Sequence, residues 1–249
     1  MSLLGLQRVG SGPVLVWLHG FTQTKNSAHE FLSILAGSNE LVTIDLPGHG
    51  ENAAVSASLD ETADLLAEVL PKEPFILAGY SFGGRVALHV ALRHPERLSH
   101  LVLLSSTLGI RDDSERRARR ERDEALADRI EVLGADAFLD EWLAQPMFAS
   151  LSHDALERQA RSHDAEGLAM SLRLSGTGTQ AWLGESLGAF KGPSLVLAGA
   201  RDKKFVLEAR RLQDALTNSS SAFVADAGHA AHLERPRLVA ELVDDVQPQ

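Results

Sequence analysis

A serine hydroxyl is a weak base or nucleophile at neutral pH until an imidazole takes its proton, and the imidazole needs a carboxylate to hold its tautomer. The chain offers residues for this at three points: Ser81 in Gly79-Tyr80-Ser81-Phe82-Gly83, Asp202 in Gly199-Ala200-Arg201-Asp202 and His229 in Ala227-Gly228-His229. Ser81 stands between an apolar run, Pro74-Phe75-Ile76-Leu77-Ala78, and a helical pattern that starts at Gly84-Arg85-Val86-Ala87-Leu88. A G-x-S-x-G between a strand and a helix puts the serine on a turn so tight that its neighbours must be nearly free of side chains, and the hydroxyl then projects above the sheet. The same turn aims the backbone N–H of Phe82 at the site, where the helix N-terminus favours developing negative charge. A second donor for an oxyanion hole is expected from the backbone of Phe21 in His19-Gly20-Phe21, after the first recognisable strand.

Ser81, Asp202 and His229 are separated by 121 and 27 residues (202 − 81 and 229 − 202). That leaves room for an inserted segment and then for one helix. Both Asp202 and His229 follow apolar runs, which sets them on loops at the carboxyl ends of strands, the edge that carries Ser81. Asp226 is a rival acid, but it precedes the histidine and falls in or at the end of a strand, so Asp202 is preferred. Among the other histidines, His89, His94 and His100 belong to the helix after Ser81 or its exit, and His153 and His163 to the inserted segment; solvated or packing roles suit them. His232 lies three residues after His229 but has no third ligand and no H-E-x-x-H, so no metal site is expected. Gly48-His49-Gly50 reads as a structural turn.

These residues are positioned by alternating strands and helices. Val14-Leu15-Val16-Trp17-Leu18, Leu41-Val42-Thr43-Ile44-Asp45, the Phe75 run, Leu101-Val102-Leu103-Leu104, Pro193-Ser194-Leu195-Val196-Leu197-Ala198 and Ser221-Ala222-Phe223-Val224 read as strands. Asp60 reads as the cap of a helix carrying Ala63, Leu66, Ala67 and Leu70, and a last helix lies near Leu238 to Val243. Unbroken apolar strands joined through helices mean a mostly parallel central sheet covered on both faces. With the G-x-S-x-G turn, this is the α/β class with an α/β-hydrolase fold. From Arg111 to Glu131 the chain carries seven arginines and eight acids, and no strand is found up to about Leu183. Residues 108–183 are therefore expected to form a helical cap, inserted between 1–107 and 184–249, which make the core. An insertion after a strand of an open parallel sheet overhangs the carboxyl edge, where ligands bind.

At 249 residues one domain with an insertion is the natural reading. A net charge of −10 argues against nucleic acid or an acidic membrane surface as partner. Cysteine is absent, which excludes disulfides, thiolate catalysis and cysteine-based metal or iron–sulfur sites. The start, Met1-Ser2-Leu3-Leu4-Gly5-Leu6, lacks the features of a signal peptide, and no apolar stretch approaches the ~20 residues of a membrane span. A cytoplasmic protein needing no cofactor is expected; the oligomeric state stays open, with a monomer possible.

Arg85 sits in the first turn of the helix that follows Ser81, where a cation opposes the helix dipole. Either a substrate carboxylate compensates it or it is a surface arginine paired with an acid. In the inserted segment Arg116, Arg117, Arg119, Arg120 and Arg122 alternate with acids, which makes most of the run a solvated face with i,i+4 pairs. One or two of these arginines are left to face the site.

Several stretches resemble the 2-succinyl-6-hydroxy-2,4-cyclohexadiene-1-carboxylate synthases, the MenH enzymes of menaquinone biosynthesis. They are Trp17-Leu18-His19-Gly20-Phe21, Asp45-Leu46-Pro47-Gly48-His49-Gly50, Gly79 to Ala87, Arg116-Arg117-Ala118-Arg119-Arg120, Trp142 to Phe148, Gly176-Thr177-Gly178-Thr179-Gln180, Gly199 to Phe205 and Ala227 to His232. The resemblance runs from about residue 14 to 236. The core motifs are common to many hydrolases; the cap motifs and the arginine after Gly83-Gly84 are more specific. The resemblance implies a lyase, not a hydrolase. Ser81, activated by His229 and Asp202, would remove a ring proton so that the substrate's enolpyruvyl group leaves as pyruvate. It also implies a small polycarboxylate substrate bound by Arg85, Arg120 and Arg161, with Tyr80, Trp142 and Phe148 as pocket walls. Arg119 adjoins Arg120, which leaves that register open by one residue. The alternative is a thioesterase, carboxylesterase or carbon–carbon-bond hydrolase working through an acyl-enzyme at Ser81. A third reading is a ligand-binding member of the fold without catalysis.

Overall fold

The computed structural model describes residues 4–152 and 154–246. His153 and the first three residues of the N-terminal stretch lie outside the described residues. The strands are β1 (Leu6–Gly10), β2 (Val14–Leu18), β3 (Glu40–Ile44), β4 (Phe75–Tyr80), β5 (Leu98–Leu104), β6 (Ser194–Gly199) and β7 (Ser219–Val224). They form one sheet in the order β1-β3-β2-β4-β5-β6-β7, parallel throughout except that β1 runs antiparallel to β3. The helices are α1 (His29–Leu35), α2 (Leu59–Val69), α3 (Phe82–Arg93), α4 (Asp113–Leu133), α5 (Ala135–Leu143), α6 (Ala165–Ser175), α7 (Lys203–Ala215), α8 (Ala231–Glu234) and α9 (Pro236–Asp244).

β2 to β6 are apolar along most of their length because both of their faces are covered. On one face Leu18, Ile44, Leu77 and Leu103 pack with Leu66 of α2, Val86 of α3 and Leu212 of α7. On the other, Leu15, Trp17, Ile76, Val102 and Leu197 pack with Phe31 of α1 and Val239 and Val243 of α9. α4, α5 and α6 are joined by a cluster of their own, with Ile130, Phe138, Leu168 and Leu172 buried in it. They lie between β5 and β6 in the chain, where the expected insertion falls.

Two local expectations are corrected. The N-cap of α2 is Ser58, not Asp60: the Ser58 hydroxyl accepts from the Glu61 amide, and the Glu61 carboxylate accepts from the Ser58 N–H at 2.8 Å. This reciprocal pair satisfies two otherwise orphaned amides, while Asp60, in the first turn of the helix, reaches His89 at 2.6 Å. Asp226 is not in a strand. It follows the end of β7 in a left-handed turn and pairs with Arg201 at 2.6 Å on the surface.

The sheet order explains why distant loops meet. From β2 the chain moves outward to β3 and then crosses back to β4 on β2's other side, so the loops after β2 and β4 leave the same carboxyl edge side by side, with Leu18 opposite Gly79. Such a reversal of strand order opens a crevice at the sheet edge. Among the described residues no helix is long and apolar enough to cross a membrane.

Candidate active site

Ser81 ends the turn between β4 and α3 with φ +51° and ψ −102°, a strained backbone for a residue with a side chain. Its amide is held by the Leu104 carbonyl at 2.8 Å. The glycines around it are required by close approach. A Cβ at Gly79 would strike the Gly83 carbonyl, and one at Gly83 would strike the Leu18 carbonyl of β2. Their absence lets α3 lie directly on the sheet and lifts Ser81 above it.

His229 lies on the loop between β7 and α8, its backbone carbonyl accepting from Ser105 Oγ at 2.9 Å. Its Nε2 is 3.2 Å from Ser81 Oγ and its Nδ1 is 2.9 Å from Asp202 Oδ2. An ionised carboxylate can only accept, so Nδ1 carries the proton and Nε2 is left to accept from the serine. The other Asp202 oxygen accepts the Phe205 amide at 3.2 Å and caps α7. Partial burial raises the Asp202 carboxyl, but the hydrogen bonds from His229 and the Phe205 amide outweigh it and hold the group below the usual aspartate value. The structure thus joins Ser81, His229 and Asp202 in one hydrogen-bonded chain, with the rings of Phe205 and Tyr80 4.4 Å and 5.4 Å from the imidazole.

Phe21 and Phe82 both face the cavity above Ser81. Phe82 is the first residue of α3, so its N–H has no partner within the helix. Neither it nor the Phe21 amide takes part in the turn and loop hydrogen bonds of the described residues.

The cavity has a volume of about 1660 Å³ and is lined by Ser81, His229, Arg85 and Arg161 among others. Arg85 is only 8% exposed and Arg161 4%. Arg85 donates to the Ser175 carbonyl at 2.8 Å and lies over the Phe82 ring; Arg161 donates to the Leu156 carbonyl at 2.9 Å and to Thr22 Oγ1 at 2.8 Å. Neither has a carboxylate within ion-pairing distance among the described residues. Burial pushes the guanidinium of Arg85 down to about 9 and that of Arg161 down to about 10, and both remain protonated at neutral pH. Two buried cations thus open onto one cavity with neutral partners only. Such groups are costly to bury unless an anion arrives.

Of the other residues expected here, Tyr80 is buried beside His229, and Trp142 and Phe148 form cavity wall. Trp142 stands edge-on to Phe21 at 5.2 Å, and its buried Nε1 has no hydrogen-bond partner in the described residues. Phe148 lies under Arg161 at 5.9 Å. Arg120 is corrected: it is exposed on α4 and lies outside the cavity lining, which contains Arg119 instead. Successive helical residues point about 100° apart, and the inner direction belongs to Arg119 and to Asp123, one turn on, which pair at 2.7 Å. Asp123 also accepts the Gly178 amide at 2.9 Å, so Arg119 enters the cavity already partly neutralised.

Of the remaining described histidines, His89, His94, His163 and His232 take packing and surface roles. His89 meets Asp60, His94 meets Asp64 at 2.8 Å and His163 meets Asp136 at 2.6 Å. His232 is enclosed by Trp17, Phe31 and Tyr80, and burial pushes it down to about 3. No group of three or more His, Cys, Asp or Glu among the described residues could hold a metal ion. Sequence reading gave no role to the His19 side chain and took Gly48-His49-Gly50 as a structural turn; both imidazoles are fully buried, and that of His49 meets Phe21.

The fold and the site define the class. Residues 15–242 match the alpha/beta hydrolase family, to which the chain belongs. The fold does not choose the chemistry, for a thermophilic esterase from Thermogutta terrifontis, 24% identical, superposes with a TM-score of 0.84 over 97% of this chain and 92% of its own. Sequence relatives narrow it further. The 2-succinyl-6-hydroxy-2,4-cyclohexadiene-1-carboxylate synthase of Enterobacter sp. strain 638 is 33% identical over 249 residues, covering 96% of this chain and 94% of its own length. A Bacillus subtilis strain 168 protein that carries that name provisionally is 36% identical over 244 residues, covering 93% and 89%. MenH from S. aureus superposes with a TM-score of 0.91 at 31% identity, over 98% of this chain and 97% of its own. Within the hydrolase class the chain belongs to the 2-succinyl-6-hydroxy-2,4-cyclohexadiene-1-carboxylate synthase family.

Proposed function

We propose that the chain is a carbon–oxygen lyase of menaquinone biosynthesis, eliminating pyruvate from 2-succinyl-5-enolpyruvyl-6-hydroxy-3-cyclohexene-1-carboxylate. Ser81 is the base. As its Oγ takes the ring proton, its own proton passes to His229 Nε2, and Asp202 holds the imidazolium that forms. The electron pair of the broken C–H bond moves toward the succinyl carbonyl, whose oxygen is met by the amides of Phe21 and Phe82. The enolate then expels the enolpyruvyl oxygen, and its electrons close the second ring double bond. The leaving pyruvate enolate takes up a proton, which leaves 2-succinyl-6-hydroxy-2,4-cyclohexadiene-1-carboxylate and pyruvate.

The observation that carries this reading is the pair Arg85 and Arg161, both buried in the lining of the cavity that holds Ser81, without carboxylate partners among the described residues. A polycarboxylate supplies the missing anions, whereas an apolar acyl group of the kind a thioesterase or carboxylesterase cleaves would leave both cations desolvated. Tyr80, Trp142 and Phe148 form the walls. We read 108–183 as the cap over this pocket and 1–107 with 184–249 as the core. The test is to supply the enolpyruvyl substrate and follow pyruvate release, with a generic ester as control. Rapid pyruvate release with slow ester cleavage is expected, and ester cleavage without pyruvate release would reject the lyase.

A further inference from the structure

The two amides assigned to the oxyanion hole come from loops more than fifty residues apart in sequence, yet they must present their N–H groups to one oxygen with an accuracy of a few tenths of an ångström. Both of their side chains meet one imidazole. His49 is fully buried; its ring stacks on that of Phe82 with centroids 5.6 Å apart and planes at 30°, and meets Phe21 edge-on at 5.6 Å. Nδ1 of His49 lies 3.0 Å from the Pro47 carbonyl, and Nε2 accepts the amide of Thr22 at 3.3 Å. A carbonyl on one side and an N–H on the other leave one choice, a neutral ring protonated on Nδ1.

Thr22 needs that support. It is β-branched with φ +69°, a left-handed backbone that such residues avoid. Besides its amide, its carbonyl accepts from the Ser162 N–H at 2.7 Å and its hydroxyl from Arg161 at 2.8 Å. On the other side of Phe21, the Gly20 carbonyl accepts from His19 Nδ1 at 2.9 Å and from the Gln23 amide at 3.1 Å. The Gly20 C=O and Phe21 N–H belong to one planar trans peptide, so fixing the carbonyl inward points the N–H the other way. His19 Nε2 in turn accepts the Leu46 amide at 3.0 Å, tying the loop to the segment after β3 that leads to His49.

We propose that His49 is a positioning residue of the oxyanion hole: its neutral imidazole fixes the Phe21 loop through the Thr22 amide and sets Phe82 by stacking. This rests on the oxyanion role given above to Phe21 and Phe82. His49 itself touches no reacting atom. Its burial, which pushes the ring down to about 3 with the neighbouring His19 adding to the effect, keeps it neutral at any working pH.

The test uses His49→Phe, which keeps a stacking ring but no acceptor, and His49→Gln, which keeps an acceptor but no ring. With pyruvate release as readout, each is expected to lower kcat about 10- to 100-fold while KM stays within about twofold, since ground-state binding falls to the arginines. Wild-type kcat in both variants would overturn the assignment, as would a KM that rises in step with any loss of kcat. A second measurement separates this from the reading beneath it. In 15N spectra of the wild type, saturating product is expected to shift the Phe21 and Phe82 amide resonances. Their failure to move in the wild type would reject the oxyanion reading itself. A full wild-type shift in both variants would leave that reading standing and reject the role of His49.

Discussion

Asp202 divides its carboxylate between two tasks: Oδ2 lies 2.9 Å from His229 Nδ1, and Oδ1 accepts the Phe205 amide that opens α7. The helix cap therefore aims the acid. An amide side chain can cap equally well but offers the imidazole no charge, and it holds the wrong tautomer if its NH₂ faces Nδ1. Asp202→Asn is expected to lower kcat by about 10³- to 10⁴-fold while the melting temperature stays nearly unchanged. Asp202→Ala adds the loss of the cap, about 1 kcal/mol. Pyruvate release and thermal unfolding of the two variants separate the tasks; equal melting temperatures for them would show that the cap contributes nothing.

Ser81 carries backbone strain as well as the hydroxyl. At φ +51° a side chain costs of order 1–3 kcal/mol, and glycine relieves most of it. Ser81→Ala is expected to lose several orders of magnitude in kcat with its fold intact, and Ser81→Gly to lose as much activity while melting at a higher temperature. Near-normal turnover in either variant would remove Ser81 from the reaction.

Arg85 and Arg161 are buried without a carboxylate partner among the described residues, an unfavourable state that an arriving anion would relieve. Replacing either with methionine, of similar length, removes a buried cation that has only neutral hydrogen-bond partners. The expected result is a KM for the enolpyruvyl substrate raised about 10- to 100-fold with equal or higher thermal stability. Arg120→Ala, on the outer face of α4, is expected to change neither. A loss of stability with unchanged KM in the Arg85 and Arg161 variants would make them structural.

How much of this was legible follows from what each residue answers to. Ser81, Asp202 and His229 could be picked out as candidates because strand ends have strong local signals: apolar runs, glycines and a fixed order along the chain. β1 escaped notice because it is an edge strand with four exposed residues in five and no apolar run. The capping box at Ser58 and Glu61 was readable, but the acid at position 60 drew the cap to itself. Choosing between Arg119 and Arg120 needed the rotation of α4, and an amphipathic pattern in a run of arginines and acids is too weak to define it. His49 was hidden differently: its importance lies in what packs around it, and sequence places Thr22, Phe21 and Phe82 far from it.

The buried histidines also predict how the fold responds to acid. Burial pushes His19 down to about 4 and His49 and His232 down to about 3, against an ordinary value of 6.5. Below pH 6.5 the unfolded chain takes up protons at these sites and the folded chain does not, so unfolding is favoured as the pH falls. The loss starts near 6.5 and continues until the folded-state values of about 3 to 4 are reached, at about 1.4 kcal/mol per pH unit for each ring. Asp202 adds to the loss only at lower pH, as the solution approaches its depressed value. Removing one titrating ring without opening a cavity isolates the effect. His232 is suited to this, because it sits among Trp17, Phe31 and Tyr80 with neither ring nitrogen hydrogen-bonded in the described residues. His232→Phe is expected to lose less stability than the wild type between pH 7 and pH 5, by roughly 2 kcal/mol at pH 5 from 1.5 units of one ring. Denaturant unfolding at the two pH values measures it, and parallel losses in both proteins would mean that His232 is protonated, and so solvated, in the native state.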